Sequence, residues 1–190
     1  MIKILAFAGS GRKASFNKAV LKFAVQGAIE AGAEVTVVNL SDFNMPIFNE
    51  DDEAEHGIPE GAMAFKKLLI EHDGFLIASP EYNSSYSALL KNSIDWASRR
   101  SEGEKPLEAY KGKVAGIMAA SDGALGGLRG LVSVRMLLEN IGTMVLPTQK
   151  AVSKVSSLLD ESGELADEKT QVALKNIGTE LVDILSKLKR

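Results

Sequence analysis

Nine residues near the start of the chain, Gly9-Ser10-Gly11-Arg12-Lys13-Ala14-Ser15-Phe16-Asn17, are of types and in an order suited to holding a phosphate. They follow an apolar run, Ile2 to Ala8, and open a helical pattern. A strand feeding through a glycine turn into a helix aims backbone N–H groups and the positive end of the helix dipole at one spot. Ser10 and Ser15 add hydroxyls and Asn17 an amide, while Phe16 opens the helix beside them. Arg12 adds a planar fork that can grip two phosphate oxygens at once.

Two further turns carry polar or glycine-rich chemistry. Pro80-Glu81-Tyr82-Asn83-Ser84-Ser85 follows an apolar run from Gly74 to Ser79. In one reading it is only a turn, with Ser84 or Ser85 capping the next helix. In the other, a planar ring rests on its backbone and on the Tyr82 face. Ser121-Asp122-Gly123-Ala124-Leu125-Gly126-Gly127-Leu128-Arg129-Gly130 follows Val114 to Ala120. Its glycines serve either a tight turn with close helix packing or the clearing of space for a flat ligand.

The elements that must position these turns follow from periodicity. Ile2–Ala8, Val35–Leu40, Gly74–Ser79, Val114–Ala120 and a run beginning at Thr143–Leu146 read as strands, most of them apolar enough to be covered on both faces. Between them lie helical stripes: Phe16, Val20, Phe23, Gly27 and Ala31; a helix from about Gly61 to Glu71; and one reaching about Arg99 through Tyr86, Leu90, Ile94 and Ala97. Leu131, Val134, Leu138 and Ile141 form the next, and Leu174, Ile177, Leu181, Ile184 and Leu188 the last. Gly32 and Gly142 are placed to end helices, and Gly27 to allow close approach of helix and sheet. Ser41 to Glu60 reads as a long loop holding an acidic, solvated patch from Glu50 to Glu55, and Arg99 to Lys113 as a surface connection. Strands alternating with helices predict an α/β fold, a parallel sheet covered by right-handed crossovers on both faces. In the flavodoxin-like strand order 2-1-3-4-5, strands one, three and four are neighbours. Their three turns then converge at the carboxyl edge of the sheet, where such folds bind ligands.

Composition narrows the function. A chain of 190 residues is sized for one domain, 1–190. The net charge of −3 argues against a broad nucleic-acid surface and leaves an anion site to be local. With no cysteine there is no disulfide, thiolate nucleophile or Cys-based metal site. No apolar run is of membrane-spanning length and no signal segment opens the sequence, so the expectation is a cytoplasmic protein with neither a membrane nor a nucleic acid as partner. His56 and His72 stand on no ligand or triad spacing, and the acidic patch lacks calcium-loop spacing, so neither a metal site nor a catalytic side chain is assigned. Gly9, Gly11 and Ala14 also satisfy G-x-G-x-x-A, but the second strand ends Asn39-Leu40 without the acidic residue a dinucleotide site expects, and no Gly-Lys-Ser/Thr supports a P-loop.

Taken together, Gly-Ser-x-Arg-x-x-Ser-x-Asn, Pro-Glu-Tyr-Asn-x-Ser, Leu90-Lys91-Asn92-Ser93-Ile94-Asp95-Trp96 and Ser-x-Gly-x-x-Gly-Gly-x-Arg resemble the NADPH-dependent FMN reductase family, which includes quinone, chromate and azo-dye reductases. The resemblance runs from Ile2 to Pro147. It implies that Ser10, Arg12, Ser15 and Asn17 hold the FMN phosphate, that Pro80, Glu81, Tyr82 and Asn83, with Ser84 beside them, meet the isoalloxazine ring, and that Ser121 with Gly123 and Gly126 closes the pocket. It also implies a dimer or tetramer in which Asn44-Met45-Pro46-Ile47-Phe48 approaches a partner's flavin. Gly11 departs from the family, where many members carry a larger residue.

The expected activity is transfer of hydride from NADPH or NADH through FMN to a quinone-like or other small oxidant. The flavin carries the chemistry, so no nucleophile is needed. A flavodoxin-like electron carrier with protein partners is the alternative; flavodoxins are more acidic and use a Thr/Ser-rich phosphate turn without arginine. A homodimer at least is also expected from the helix after Ser85, because Trp96 and Leu89 add apolar surface beside its core stripe; with the resemblance, the expected assembly is a homodimer or homotetramer.

Overall fold

In the computed structural model, which describes residues 1–189, five parallel strands form one sheet: β1 (Lys3–Ala8), β2 (Glu34–Asn39), β3 (Gly74–Ala78), β4 (Val114–Ala120) and β5 (Met144–Val152). Their spatial order is β2-β1-β3-β4-β5, the order expected. The helices are α1 (Phe16–Glu30), α2 (Glu50–His56), α3 (Glu60–Glu71), α4 (Ala88–Ser98), α5 (Leu128–Asn140) and α6 (Glu168–Leu188). Side chains alternate across each strand and so build two cores. Ile4, Ala6, Leu76 and Met118 meet α1 and α6 on one face. Leu5, Phe7, Phe75, Ile77 and Ile117 meet α3, α4 and α5 on the other.

Local chemistry sets the helix ends. Ser15 caps α1 by accepting from the Lys18 N–H, and Gly32 follows its end at φ +90°, a left-handed conformation that resists any side chain. Gly27 does allow a close approach, but to α6 rather than to the sheet: a Cβ there would stand 2.1 Å from Lys175 O, and one on Gly178 2.0 Å from Ala24 O. The two helices cross backbone to backbone through this pair of glycines.

Three further expectations need correction. The stretch from Ser41 to Glu60 is not a plain loop: a single 3-10 turn spans Leu40–Phe43, and the acidic patch is α2. Asn49 caps α2, and its first turn is Glu50, Asp51, Asp52 and Glu53, acids that suit the positive end of a helix dipole. That helix buries nothing, which is why no apolar period announces it. The cap of α4 is Ser87, whose Oγ accepts from the Leu90 N–H at 3.2 Å, not Ser84 or Ser85. The fifth strand begins where expected and runs on through Pro147 to Val152, because a register shift between Ala115 and Ile117 accommodates the proline.

The third of these corrections concerns Trp96. It is 1% exposed, so it offers no surface for a partner. Its Nε1–H donates to Pro46 O at 2.7 Å, and its ring meets Phe48 edge-on with centroids 4.9 Å apart. Asn92 fastens the same loop, donating to Pro46 O and accepting from the Phe48 N–H, both at 2.8 Å. Leu89 likewise packs against the core of its own chain. The exposed apolar stripe lies instead on α5, where Leu128, Val132 and Met136 recur every fourth residue. Among the described residues no helix is long and apolar enough to cross a membrane.

Candidate functional site

The turns after β1, β3 and β4 meet at the carboxyl edge of the sheet around a cleft of about 270 Å³, lined by Ser10, Arg12, Ser15, Phe16, Asn17, Pro80, Glu81, Tyr82, Ala120, Ser121 and Asp122. Most of the residues singled out in the sequence are thus brought together. A larger groove, about 620 Å³, runs between α1 and the edge strand β2, but no residue of the second or third turn lines it. Size is therefore a poor guide in this molecule; convergence of donors is a better one.

The first turn is built to receive an anion. Among the described residues no protein acceptor takes the backbone N–H of any residue from Ser10 through Asn17. The hydroxyl of Ser10, a residue only 6% exposed, also has no hydrogen-bond partner among them. A run of unpaired N–H groups at a helix start is what a phosphate oxygen requires. Arg12 enters no ion pair among the described residues; its guanidinium lies 5.5 Å from the centre of the Phe16 ring. A cation resting on an aromatic face is held at the cleft and remains available to an anion. These features fit the phosphate end of FMN.

Asn17 has a different place from the one its residue type suggested. Its Nδ2 donates to Ala120 O at 3.0 Å, and its Oδ1 accepts from the Ala120 N–H at 3.1 Å. Both ends of the amide are taken up in tying the start of α1 to the end of β4. Gly9 ties the first turn to α4, because Ser87 Oγ donates to Gly9 O at 2.5 Å, and a Cβ on Gly9 would stand 2.9 Å from the Leu90 Cβ. No sequence period points to either fastening.

After β3, Tyr82 and Ser85 exchange both backbone hydrogen bonds, at 2.9 and 3.0 Å, across a two-residue turn. Asn83 and Ser84 occupy it at φ +49° and +70°. Two left-handed residues in a tight reversal define a type I′ turn. Tyr82 is half exposed at its edge, while Asn83 and Ser84 form its outer tip and do not line the cleft. The Glu81 carboxylate points away toward α5, pairing with Arg129 and accepting from the Gly130 N–H at 3.2 Å. Burial pushes its pKa up, but those donors outweigh burial and hold it below the ordinary carboxylate range.

After β4, Ser121 Oγ accepts from the Gly123 N–H at 3.2 Å and so shapes its own turn. Gly123 and Gly126 do not line the cleft. A Cβ on Gly126 would come within 2.5 Å of the Val152–Ser153 backbone, so this glycine serves close packing against the end of β5. Asp122 is a lining residue that was not singled out. Its carboxylate accepts from the Ser156 N–H at 2.8 Å and bonds the Ser156 hydroxyl at 2.7 Å, and these bonds, with Arg12 nearby, lower its pKa. The signal available was its position directly after Ser121 at a strand end.

Neither histidine enters the site. His56 is exposed on α2 beside Glu55. His72 is buried just before β3, at the opposite edge of the sheet, between Leu68 O at 2.7 Å and Thr36 Oγ1 at 2.9 Å.

Known proteins with a similar sequence or fold point to one family. The model of the family described as NADPH-dependent FMN reductase matches residues 2–157. The NAD(P)H-dependent FMN reductase of Pseudomonas aeruginosa is 34% identical over 171 residues, covering 90% of this chain and 88% of that protein. The quinone reductase of Escherichia coli K12 is 31% identical, covering 89% and 87%. Among solved structures, the flavoenzyme NAD(P)H:(acceptor) oxidoreductase FerB of Paracoccus denitrificans superposes with a TM-score of 0.81 at 26% identity, over 98% of each chain. With the strand order, the converging turns and a family match over most of the sequence in hand, the chain belongs to the NADPH-dependent FMN reductase family.

Proposed function

We propose that the chain is an NAD(P)H-dependent oxidoreductase working through bound FMN, with a quinone or another small oxidant as electron acceptor. The observation that carries this reading is the unpaired run of N–H groups from Ser10 to Asn17 beside Arg12, opening into the same cleft as Tyr82. Bound FMN supplies acceptance of hydride from the nicotinamide and return of electrons to the acceptor. Ser10, Arg12, Ser15 and the N–H groups around them hold the phosphate. Asn17 keeps that cradle at a fixed distance from β4 by its two bonds to Ala120. The Tyr82 turn offers the ring a face, and Ser121 and Asp122 bound the far side. No side chain of the cleft has to act as nucleophile.

Residues 1–190 act as one FMN-binding domain, and the cysteine-free sequence with a nicotinamide reductant favours the cytoplasm. Subunits pair as a homodimer or homotetramer through α5, whose Leu128, Val132 and Met136 would otherwise leave an apolar stripe in water. The loop from Asn44 to Phe48, fastened by Asn92 and Trp96 with Ile47 86% exposed at its tip, is rigid enough to reach a neighbouring subunit's ring.

Initial rates of NADPH oxidation with a soluble quinone, measured on FMN-loaded protein, test the activity. Parallel double-reciprocal lines are expected, since the two substrates use one ring face in turn. No turnover with any quinone, despite bound FMN, would contradict the reading.

A further inference from the structure

Glu81 lies in the motif assigned to the ring, yet its carboxylate is taken up by α5. One oxygen accepts from Arg129 at 2.7 and 2.9 Å, and the other from the Gly130 N–H at 3.2 Å. The side chain is only 11% exposed. Gly130 adds an independent sign of the same contact: a Cβ there would stand 3.2 Å from both Cα and Cβ of Glu81 and 3.1 Å from Ser85 O. A side chain there would be in tighter contact than is usual and would press the first turn of α5 away from this segment by a few tenths of an ångström. One helical turn later, the Ser133 hydroxyl donates to Ser84 O at 3.4 Å. The segment from Glu81 to Ser85 is thus held against α5 at both ends and at its tip.

That segment needs holding. Asn83 and Ser84 are both left-handed; asparagine accepts that conformation readily in such a turn, but serine keeps it only when its surroundings impose it. We propose that Glu81 is a positioning residue for the flavin ring, fixing the Tyr82–Ser85 turn through the first turn of α5 rather than touching the ring with its carboxylate. This rests on the FMN reading above. It separates two roles in the cleft: Arg12 and the first turn recognise the phosphate, while Glu81, Arg129 and Gly130 set the surface that meets the ring.

A double-mutant cycle tests it. Affinities for FMN and riboflavin, and the visible spectrum of bound flavin, are compared for wild type, Glu81→Ala, Arg129→Ala, the double variant and Glu81→Gln. Glu81→Ala should weaken both flavins alike, by about tenfold, and Arg129→Ala by about threefold. Because the two residues act as one clamp, the double variant should also lose about tenfold, not the thirtyfold product. The bound-flavin spectrum should shift in Glu81→Ala, and Glu81→Gln, which keeps an oxygen for the Gly130 N–H, should return both spectrum and affinity to within about threefold of wild type. Multiplying losses would overturn the proposal, since Glu81 would then act on the ring independently of α5. So would unchanged riboflavin affinity in Arg129→Ala, a measurement that stands even if Glu81→Ala fails to fold. A wild type that binds neither flavin overturns the FMN reading itself and the proposal with it; flavin binding with an additive cycle overturns the proposal alone.

Discussion

Arg12→Ala should separate the two ends of the flavin. A charge-assisted contact to a phosphate is worth about 1.5–3 kcal/mol. In the free protein the guanidinium rests 5.5 Å from the Phe16 ring, an exposed cation–π contact worth about 0.5–1 kcal/mol that is surrendered on reaching for the phosphate. The difference, about 1–2 kcal/mol, corresponds to a roughly five- to thirtyfold weaker FMN affinity in the variant. Riboflavin has the same ring and ribityl chain without the phosphate, so its affinity should be the same in wild type and variant. Quenching of flavin fluorescence gives both constants in one format. Wild-type FMN binding should also be the more salt-sensitive, because only it includes a partly exposed ion pair. Equal weakening of FMN and riboflavin would refute the reasoning, since Arg12 would then be supporting the turn or the ring rather than gripping the phosphate.

Gly178→Ala places a methyl group 2.0 Å from Ala24 O and must force α1 and α6 apart. Overpacking against a backbone oxygen, at the upper end of the usual range at about 2–3 kcal/mol, partly offset by roughly 1 kcal/mol of helix propensity, leaves a net loss of about 1–2 kcal/mol, seen as a Tm about 2–8 °C lower; an unchanged Tm would contradict the close crossing. Acid should destabilise the fold through carboxylates whose donors outweigh their burial: Asp73 with Lys189 and the Lys3 N–H, Glu81 with Gly130 and Arg129, and Glu104 with Lys66 and Ser101. Their folded pKa values are depressed, so their contribution is complete above the unfolded range of about 4 and is lost as pH falls through the lower folded values; urea midpoints that did not fall on acidification from pH 5 would contradict this. Val132→Asp puts a charge into the α5 stripe and should convert an oligomer to a 20.3 kDa monomer by light scattering, whereas an oligomer indifferent to this change would use another face.

The sheet was legible because strands covered on both faces must be nearly unbroken apolar runs, and β1, β3 and β4 are buried along almost their whole length: Leu5 and Phe7 face one core, Ile4 and Ala6 the other. Helix α2 escaped because it buries nothing. Trp96 was read as surplus apolar surface because a sequence shows which face of a helix is greasy, but not that a loop some fifty residues earlier folds back to cover it. The same blindness applies in the cleft. Residue types pointed to the right turns, but an amide or carboxylate in a promising motif can be directed at the ligand or at the scaffold. Asn17 and Glu81 face the scaffold, through Ala120 O and N–H and through Arg129 and Gly130. Long-range fastenings of this kind have no period.

On this reading one cleft both holds a flavin and brings a nicotinamide to it. An anaerobic absorbance spectrum of the FMN-loaded protein, recorded before and after NADPH and again after a quinone, tests that most directly. A visible flavin band that bleaches on adding NADPH or NADH and returns with the quinone is the expected result. A protein that leaves FMN free, or a bound flavin that both nicotinamides leave oxidised and only a partner reductase can bleach, would contradict it.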